Sequence, residues 1–392
     1  MTRQEWLGGL ALILFSLPTI PNHITPSPLN PKERHIKQIL LNLVAKEDKA
    51  IVAGQRGLLY SVFLPHSDAL ERAKRRESYL KTWSAFRNLE VTGVKVSVRT
   101  PHIRFLPSGK VRVFGVVGES YQLTKKNPDS LPKNGPTDSF GLGVRHDYEL
   151  ISKHGQWFIA SDAFTDPLNQ DSRLLHQAHP SQGFIKSHQS DIPSPGAKKA
   201  VQYADTYCGS APGCGNERYY NSYYNSYNGE GGDCTNFVSQ ALHAGGFGMT
   251  ATWDYSRDKG EGSPAWVNAE RLKDFLAASG RATLYASGSY SQLTRPLAKF
   301  PDGAVNQLRP GDVISYIEGG RAVHSAIVVG YDAFGYPVVD THSSDRFRVP
   351  WDLGWDRHTT YDLWHVHYPG PKPSQDGVRP LSMGAGDIMN HR

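Results

Sequence analysis

The segment around Cys234 has the residue types and spacing of a nucleophile at the start of a helix. Glycines precede Asp233 and Cys234, and apolar residues recur at helical spacing over 237–242. Asp233 fits the N-cap, which places Cys234 at the first helical position. A thiol there lies near the positive end of the helix dipole and near unpaired backbone N–H groups, which favour the thiolate. The segment therefore predicts a reactive cysteine, and a small buried helix cysteine is the alternative.

A candidate base lies downstream in a predicted β-hairpin. One strand begins at His324, and after a short turn the next strand ends at His342. This pairing places His324 roughly opposite His342 or Ser343, and Asp340 shares a strand face with His342 because the side-chain period is two. A thiolate needs a base, and that base needs an orienting partner. We therefore expect His324 to be the base, oriented by His342, by Asp340 or by both.

The three cysteines and the N-terminus indicate export. Residues 1–25 have the pattern of a secretory signal peptide, with an apolar run too short for a confident membrane span, and a retained membrane anchor is the alternative. In an exported protein Cys208 and Cys214 can close a short loop as a disulfide, or they can remain reduced. Cys234 is then the odd cysteine, as a reactive thiol should be.

Several separated motifs resemble one enzyme family. Residues from 203 to about 369 resemble the bacterial "putative amidase" domain family, a branch of the NlpC-type, papain-like cysteine hydrolases. The matching segments are 232–240, 244–246, 311–314, 324–328 and 341–343, with the region of Trp253 and Trp266. The resemblance implies a nucleophile helix packed on an antiparallel sheet, with Cys234 as nucleophile and His324 as base. It maps the third catalytic position to His342, with Asp340 as the rival.

The chemistry that this resemblance implies is hydrolysis of an amide through a thioester. The oxyanion would be held by the backbone N–H of Cys234 and a neighbouring donor, for which Asn228 and Tyr227 are candidates. Neither a metal nor a cofactor is required. The expected substrate is a peptide or another amide, and cell-wall (peptidoglycan) peptides are one candidate. The tyrosines of the segment 219–227 either line a substrate cleft or belong to a surface loop.

The chain of 392 residues is long enough for two domains. Residues 31–167 carry two helical segments followed by strand candidates, which predicts an α+β unit. The strand candidates lie at 90–105, 110–124, 144–152 and 156–164. This order resembles the cone-shaped folds related to nuclear transport factor and steroid isomerases, and we expect a binding or structural role rather than a second active site. Residues 168–196 are predicted to be a linker, 197–369 the α+β amidase-like domain with a papain-like fold, and 370–392 a disordered tail.

The composition of the chain limits the classes of binding partner that we expect. The formal net charge is +6, which suits an exported protein that faces an anionic cell surface. A nucleic-acid partner is not expected, because basic residues are not accompanied by an aromatic platform or a reader motif. The linker histidines have no Cys or carboxylates at ligand spacing, and His365 and His367, which share one face of a strand, are interpreted as edge-strand residues, so no metal site is predicted. Two functions remain: a secreted cysteine amidase or peptidase, and a non-catalytic exported ligand- or cell-wall-binding protein on a papain-like scaffold.

Overall fold

The computed structural model describes residues 28–126, 137–165, 167–168, 171–175, 193–216, 219–230 and 232–370. The predicted signal segment or anchor, most of the predicted linker and nearly all of the predicted tail lie outside these residues. Within the described part, no helix combines the length and the apolar character needed to cross a bilayer.

The first part of the described chain has helices followed by an antiparallel sheet, in the predicted order. The helices are α1 (Pro31–Val52), α2 (Arg56–Leu59) and α3 (Asp68–Phe86), and the strands are β1 (Leu89–Phe105), β2 (Val111–Lys125), β3 (Thr137–Lys153) and β4 (Gln156–Ala163). Asn30 and Glu33 form a capping box that starts α1, and Ser67 accepts a hydrogen bond from Leu70 N to start α3. The apolar faces of both helices pack on the strands in a core that contains Trp83.

The second part alternates helices with short and long strands. Its helices are α4 (Pro195–Tyr207), α5 (Cys234–Ala244), α6 (Pro264–Val267), α7 (Ala269–Ala278), α8 (Tyr290–Thr294) and a 3₁₀ helix (Ala304–Gln307). Its strands are β5 (Tyr255–Ser256), β6 (Glu261–Gly262), β7 (Ala282–Ser289), β8 (Val313–Glu318), β9 (Arg321–Tyr331), β10 (Pro337–Thr341), β11 (Asp345–Pro350) and β12 (Thr360–Val366). Helix α5 starts at Cys234, and β9 and β10 correspond to the two strands of the expected hairpin.

One large antiparallel sheet runs through both parts of the chain. Its order is β1-β2-β3-β11-β10-β9-β8-β12-β7, and β4 pairs with β3. The junction is the pairing of β3 with β11, in which Asp345 lies opposite Gly143 and Phe347 opposite Gly141. The fold is therefore α+β with strands from the two predicted domains hydrogen-bonded into the same sheet.

The two faces of the sheet around β9 carry different cores. Helix α5 packs on one face through Phe237 and Val238, which share a core with Ile327 and Val329 of β9. Ala326 and Val328 belong to the core on the other face, together with aromatic rings such as that of Tyr316. The two β9 pairs alternate because successive side chains of a strand point to opposite faces.

Candidate active site

Cys234 occupies the first position of α5 and is the one cysteine of three that is not in a disulfide. Its side chain faces β9, where the backbone N–H of Ser325 donates a hydrogen bond to the sulfur, as does the N–H of Thr235. The Thr235 hydroxyl lies 3.7 Å from Sγ. The residue is 9% exposed, so little of the thiol is open to solvent.

Burial raises the pKa of the Cys234 thiol. The backbone N–H of Ser325 and the groups of Thr235 oppose this rise, whereas the negative charge of Asp233 adds to it. The net direction is opposite to the one that a helix N-terminus alone would give. In this arrangement Cys234 is therefore held as a thiol rather than as a thiolate.

Asp233 stands at the N-cap position, but its carboxylate does not cap α5. Oδ1 accepts hydrogen bonds from Tyr227 N at 2.8 Å and from Asn236 Nδ2 at 2.8 Å. Oδ2 lies 2.6 Å from His342 Nδ1, and the backbone N–H of Asp233 donates to Ser343 Oγ at 2.9 Å. The carboxylate thus ties the residue before the nucleophile to the segment that follows β10, and the first N–H groups of α5 are left without this cap.

His342 is enclosed and has partners at both ring nitrogens. Nδ1 contacts Asp233, and Nε2 donates to the carbonyl oxygen of Tyr207 at 2.7 Å, because a carbonyl oxygen only accepts. The ring lies between the rings of Tyr220 and Phe237, with centroid separations of 3.8 Å and 4.1 Å. His342 therefore has no ring nitrogen available for the Cys234 thiol in this arrangement.

His324 lies on the side of the sheet away from α5. Its Nε2 is 3.2 Å from Thr341 Oγ1, and its ring centroid is 5.4 Å from those of Tyr316 and Trp355. Burial lowers the pKa of His324 to about 3, and the positive charge of Arg346 acts in the same direction. The imidazole is consequently neutral over the physiological pH range.

The structure does not bring the predicted nucleophile and base together. Ser325 contacts Thr235 of α5 through its hydroxyl at 3.4 Å, so Ser325 faces the nucleophile helix. His324, the preceding residue, faces the opposite core because strand side chains alternate. The partner of His324 is Thr341, a residue that the sequence analysis missed, and neither His342 nor Asp340 orients it.

Asp340 shares the α5 face with His342, as expected from the strand period, but it has a different partner. Its Oδ1 accepts a hydrogen bond from the backbone N–H of Arg348 at 2.6 Å, and it is fully buried. Burial raises the pKa of the Asp340 carboxyl, and the negative charge of Asp205 adds to the rise. Asp340 therefore forms part of a buried contact between β10 and β11.

The two candidate oxyanion donors are engaged elsewhere. Asn228 Nδ2 donates to the hydroxyl of Tyr220 at 2.8 Å. The hydroxyl of Tyr227 accepts from Gly262 N at 2.8 Å, and the Tyr227 N–H is used by Asp233. The donors beside the thiol are the backbone N–H groups of Thr235 and Ser325 and the Thr235 hydroxyl.

Two further expectations concern covalent and metal chemistry. Cys208 and Cys214 form a disulfide, with a Cα–Cα distance of 5.5 Å. Within the described ranges, no group of three or more His, Cys, Asp or Glu side chains is arranged to hold a metal ion.

Comparison with known proteins identifies an amidase-type segment. Residues 195–364 match the family described as "Putative amidase domain". The curated relative "Uncharacterized protein YhbB" from Bacillus subtilis (strain 168) is 32% identical over 154 residues, which are 39% of this chain and 42% of the relative. The chain thus matches less than half the length of that relative. The similarity concerns residues 195–364, and the description of the matched family names amide hydrolysis at a general level.

One solved structure is similar to part of the chain. The intermembrane space region of chloroplast protein ARC6 is 16% identical, and the alignment covers 35% of this chain and 98% of that one. Its TM-score of 0.24 establishes no common fold.

Proposed function

We propose that this protein is an exported cysteine hydrolase that cleaves amide or peptide bonds with Cys234 as nucleophile on a papain-like arrangement. The observation that carries the proposal is the position of Cys234, a thiol without a disulfide partner at the first residue of α5, inside the amidase-type segment. Backbone N–H groups beside it are suited to hold an oxyanion. The Cys208–Cys214 disulfide supports an oxidising compartment, where cell-wall peptides are the proposed substrates.

The reaction proceeds in two halves. An imidazole takes the thiol proton, and the sulfur forms a bond to the amide carbonyl carbon. The C–N bond then breaks, and the amine leaves with the proton that the imidazole returns. Water next attacks the thioester, which releases the carboxylic acid and restores the thiol. We assign the imidazole to His324, in line with the family resemblance.

This assignment requires that His324 reach the face on which Cys234 lies. The pairing of β8 with β9 shifts register between His324 and Ala322, which marks a bulge directly before the histidine. Movement of this bulge by one residue, from before His324 to His324 itself, would re-aim the His324 side chain and leave the pairing from Ser325 onward unchanged. We propose that movement of this bulge carries His324 to the thiol when substrate binds, and that the structure is the resting arrangement.

The test is hydrolysis of a panel of cell-wall peptides and simple amides by the full chain. We expect Cys234→Ala to abolish turnover and His324→Gln to lower kcat by about 100-fold or more, as for loss of a general base. His358→Gln is the matched control, because His358 is exposed and lies outside the site. Turnover that survives in Cys234→Ala contradicts the cysteine mechanism.

A second function is favoured by the surroundings of the thiol. The thiol is enclosed, its pKa is raised, and its hydrogen-bond donors are backbone groups and the Thr235 hydroxyl rather than an imidazole. These features suit an exported ligand- or cell-wall-binding protein that keeps the scaffold without catalysis. In that case a cell-wall peptide would raise the melting temperature of wild type and Cys234→Ala equally, and neither protein would hydrolyse it.

A further inference from the structure

The residue before the nucleophile is held by a stacked imidazole. His342 contacts the carboxylate of Asp233, and its ring is sandwiched between Phe237 of α5 and Tyr220. Because Asp233 is bonded directly to Cys234, a displacement of His342 would be transmitted to the first turn of α5. The position of the thiol therefore depends on what holds the Tyr220 ring.

The hydroxyl of Tyr220 has partners from three segments of the chain. It donates to Oδ1 of Asp345 at the start of β11. It accepts hydrogen bonds from Asn228 Nδ2 at 2.8 Å and from Arg145 Nη2 at 3.1 Å. Burial raises the pKa of Tyr220, so it remains a phenol that can donate to the carboxylate. Three partners fix both the place and the plane of the ring on which His342 stacks.

Arg145 reaches this ring from the first part of the chain. It lies on β3, two residues beyond Gly143, and the pairing of Gly143 with Asp345 brings the guanidinium to 3.9 Å from Asp345 Oδ2. The guanidinium carbon is 5.5 Å from the centroid of the Tyr220 ring. The negative charge of Asp233 also attracts the guanidinium. Arg145 therefore interacts electrostatically with the residue that precedes the nucleophile.

We propose that Arg145 and Tyr220 are positioning residues of the hydrolase. They hold the His342 ring in place, and His342 in turn holds Asp233, the residue before Cys234. By this inference, which rests on the proposed function, the predicted domain at residues 31–167 supplies part of the active site. Neither residue touches the thiol, and both act through the stacked imidazole. The role differs from simple neutralisation of Asp345, which would stabilise the fold without affecting Cys234.

The experiment uses the full chain and two readouts. The first is kcat and KM on an amide that the wild type hydrolyses. The second is the pH profile of Cys234 modification by iodoacetamide, read by mass spectrometry. The variants are Arg145→Met, Arg145→Lys and Tyr220→Phe. Arg112→Met is the matched control, because Arg112 pairs with Asp147 on the exposed surface of the same sheet.

We expect Arg145→Met and Tyr220→Phe to lower kcat by about 10- to 100-fold, with KM changed less than about twofold, because misplaced groups slow the chemical step. The midpoint of Cys234 modification should move to higher pH in Arg145→Met, because the charge of Asp233 would then be less balanced. Arg145→Lys should restore part of both properties, and Arg112→Met should change neither.

Unchanged kcat and an unchanged modification profile in folded Arg145→Met and Tyr220→Phe would overturn the proposal. Equal losses in Arg145→Met and Arg112→Met, in step with their denaturation midpoints, would also overturn it in favour of a structural role. If Arg145→Met does not fold, Tyr220→Phe, which keeps the ring and removes the hydroxyl, decides the question. Absence of hydrolysis by the wild type overturns the proposed function alone, and the modification profiles then decide the positioning role.

Discussion

Cys234 combines an enclosed side chain with a pKa raised by burial. We therefore expect slow reaction of the folded protein with iodoacetamide at pH 7 and a rate that keeps rising into the alkaline range. In urea the thiol returns to an ordinary pKa of about 8.5, and the reaction at pH 7 should become faster. Mass spectrometry in the absence of reductant measures the rate of alkylation at Cys234 alone, because Cys208 and Cys214 are joined in a disulfide.

The opposite result would be informative about the resting arrangement. Fast modification of the folded protein at pH 7, lost in His324→Gln but kept in His358→Gln, would contradict the expected slow reaction. It would mean that His324 lies beside the thiol in solution without substrate.

His324 should make the stability of the fold depend on pH. Its pKa is lowered to about 3 by burial, whereas an unfolded histidine titrates near 6.5. Between these two values the unfolded chain binds the proton and the folded chain does not, so the free energy of unfolding falls as the pH falls from about 6.5 towards 3. Urea denaturation between pH 4 and 8 measures this slope.

The matched comparison is between wild type, His324→Gln and His358→Gln. The slope below pH 6.5 should be smaller in His324→Gln and unchanged in His358→Gln, whose residue is exposed. Equal slopes in all three proteins would show that His324 has an ordinary pKa, as expected if its ring faced solvent.

The sequence predicted the position of Cys234 because helix starts have a strong local pattern, and the two-residue period of a strand also placed Asp340 and His342 on one face. It did not predict the face of His324, because tertiary packing decides which alternate set of β9 side chains lies against α5. The sequence also did not predict that the Asp233 carboxylate contacts His342, since the two residues are distant in the chain. Long-range polar contacts of this kind need the fold to be known.

At the scale of elements, β3 shows how tertiary pairing lengthens a strand. The sequence analysis placed the start of this strand at Val144. The observed strand begins at Thr137, because β2 pairs with β3 from Leu150 back to Thr137 and β11 adds a second partner at residues 141–143, which include Gly141 and Gly143. The same glycines leave room for the disulfide loop, which packs on them. The bounds of β1 and β2 were predicted to within a residue, although these strands contain Gly93, Gly115 and Gly118.

The close approach at Gly143 gives a direct prediction. A Cβ at this position would lie 2.5 Å from the carbonyl carbon of Ser210 and 2.6 Å from Ala211 N, both in the disulfide loop. We expect Gly143→Ala to displace that loop and to lower the free energy of unfolding by about 1–3 kcal/mol, as for overpacking. Gly57→Ala is the control, because nothing lies within 4 Å of its Cβ. Urea denaturation of both variants measures the difference, and equal stabilities would contradict the close packing of the loop.

At the scale of the whole molecule, contacts of several kinds join the two predicted domains. Beyond the pairing of β3 with β11, the hydroxyl of Tyr79 on α3 accepts a hydrogen bond from Gly354 N at 2.7 Å. Arg87, at the end of α3, forms a buried ion pair with Asp352. Its guanidinium carbon also lies 4.5 Å from the centroid of the Trp83 ring. Because the two parts share one sheet and are joined by a buried ion pair, we expect them to unfold cooperatively.

The buried pair of Arg87 and Asp352 tests this coupling. Their side chains are 5% and 1% exposed, so Arg87→Met would leave the Asp352 carboxylate buried without its cationic partner, with the Tyr336 hydroxyl still donating to it. We expect a loss of about 3–5 kcal/mol in the free energy of unfolding. The control Arg271→Met, which removes an exposed pair with Asp274, should change it by less than about 1 kcal/mol.

Hydrogen exchange followed by mass spectrometry shows whether both parts of the chain lose stability in the Arg87→Met variant. If the two parts unfold together, peptides from α1 and from α5 should lose protection at the same urea concentration in the wild type, and both should shift equally in Arg87→Met. The physical reason is that removing the pair weakens a junction that either part must break in order to unfold. Loss of protection in α1 at a lower urea concentration than in α5 would instead mean that the sheet opens between β3 and β11, and that residues 31–167 unfold on their own.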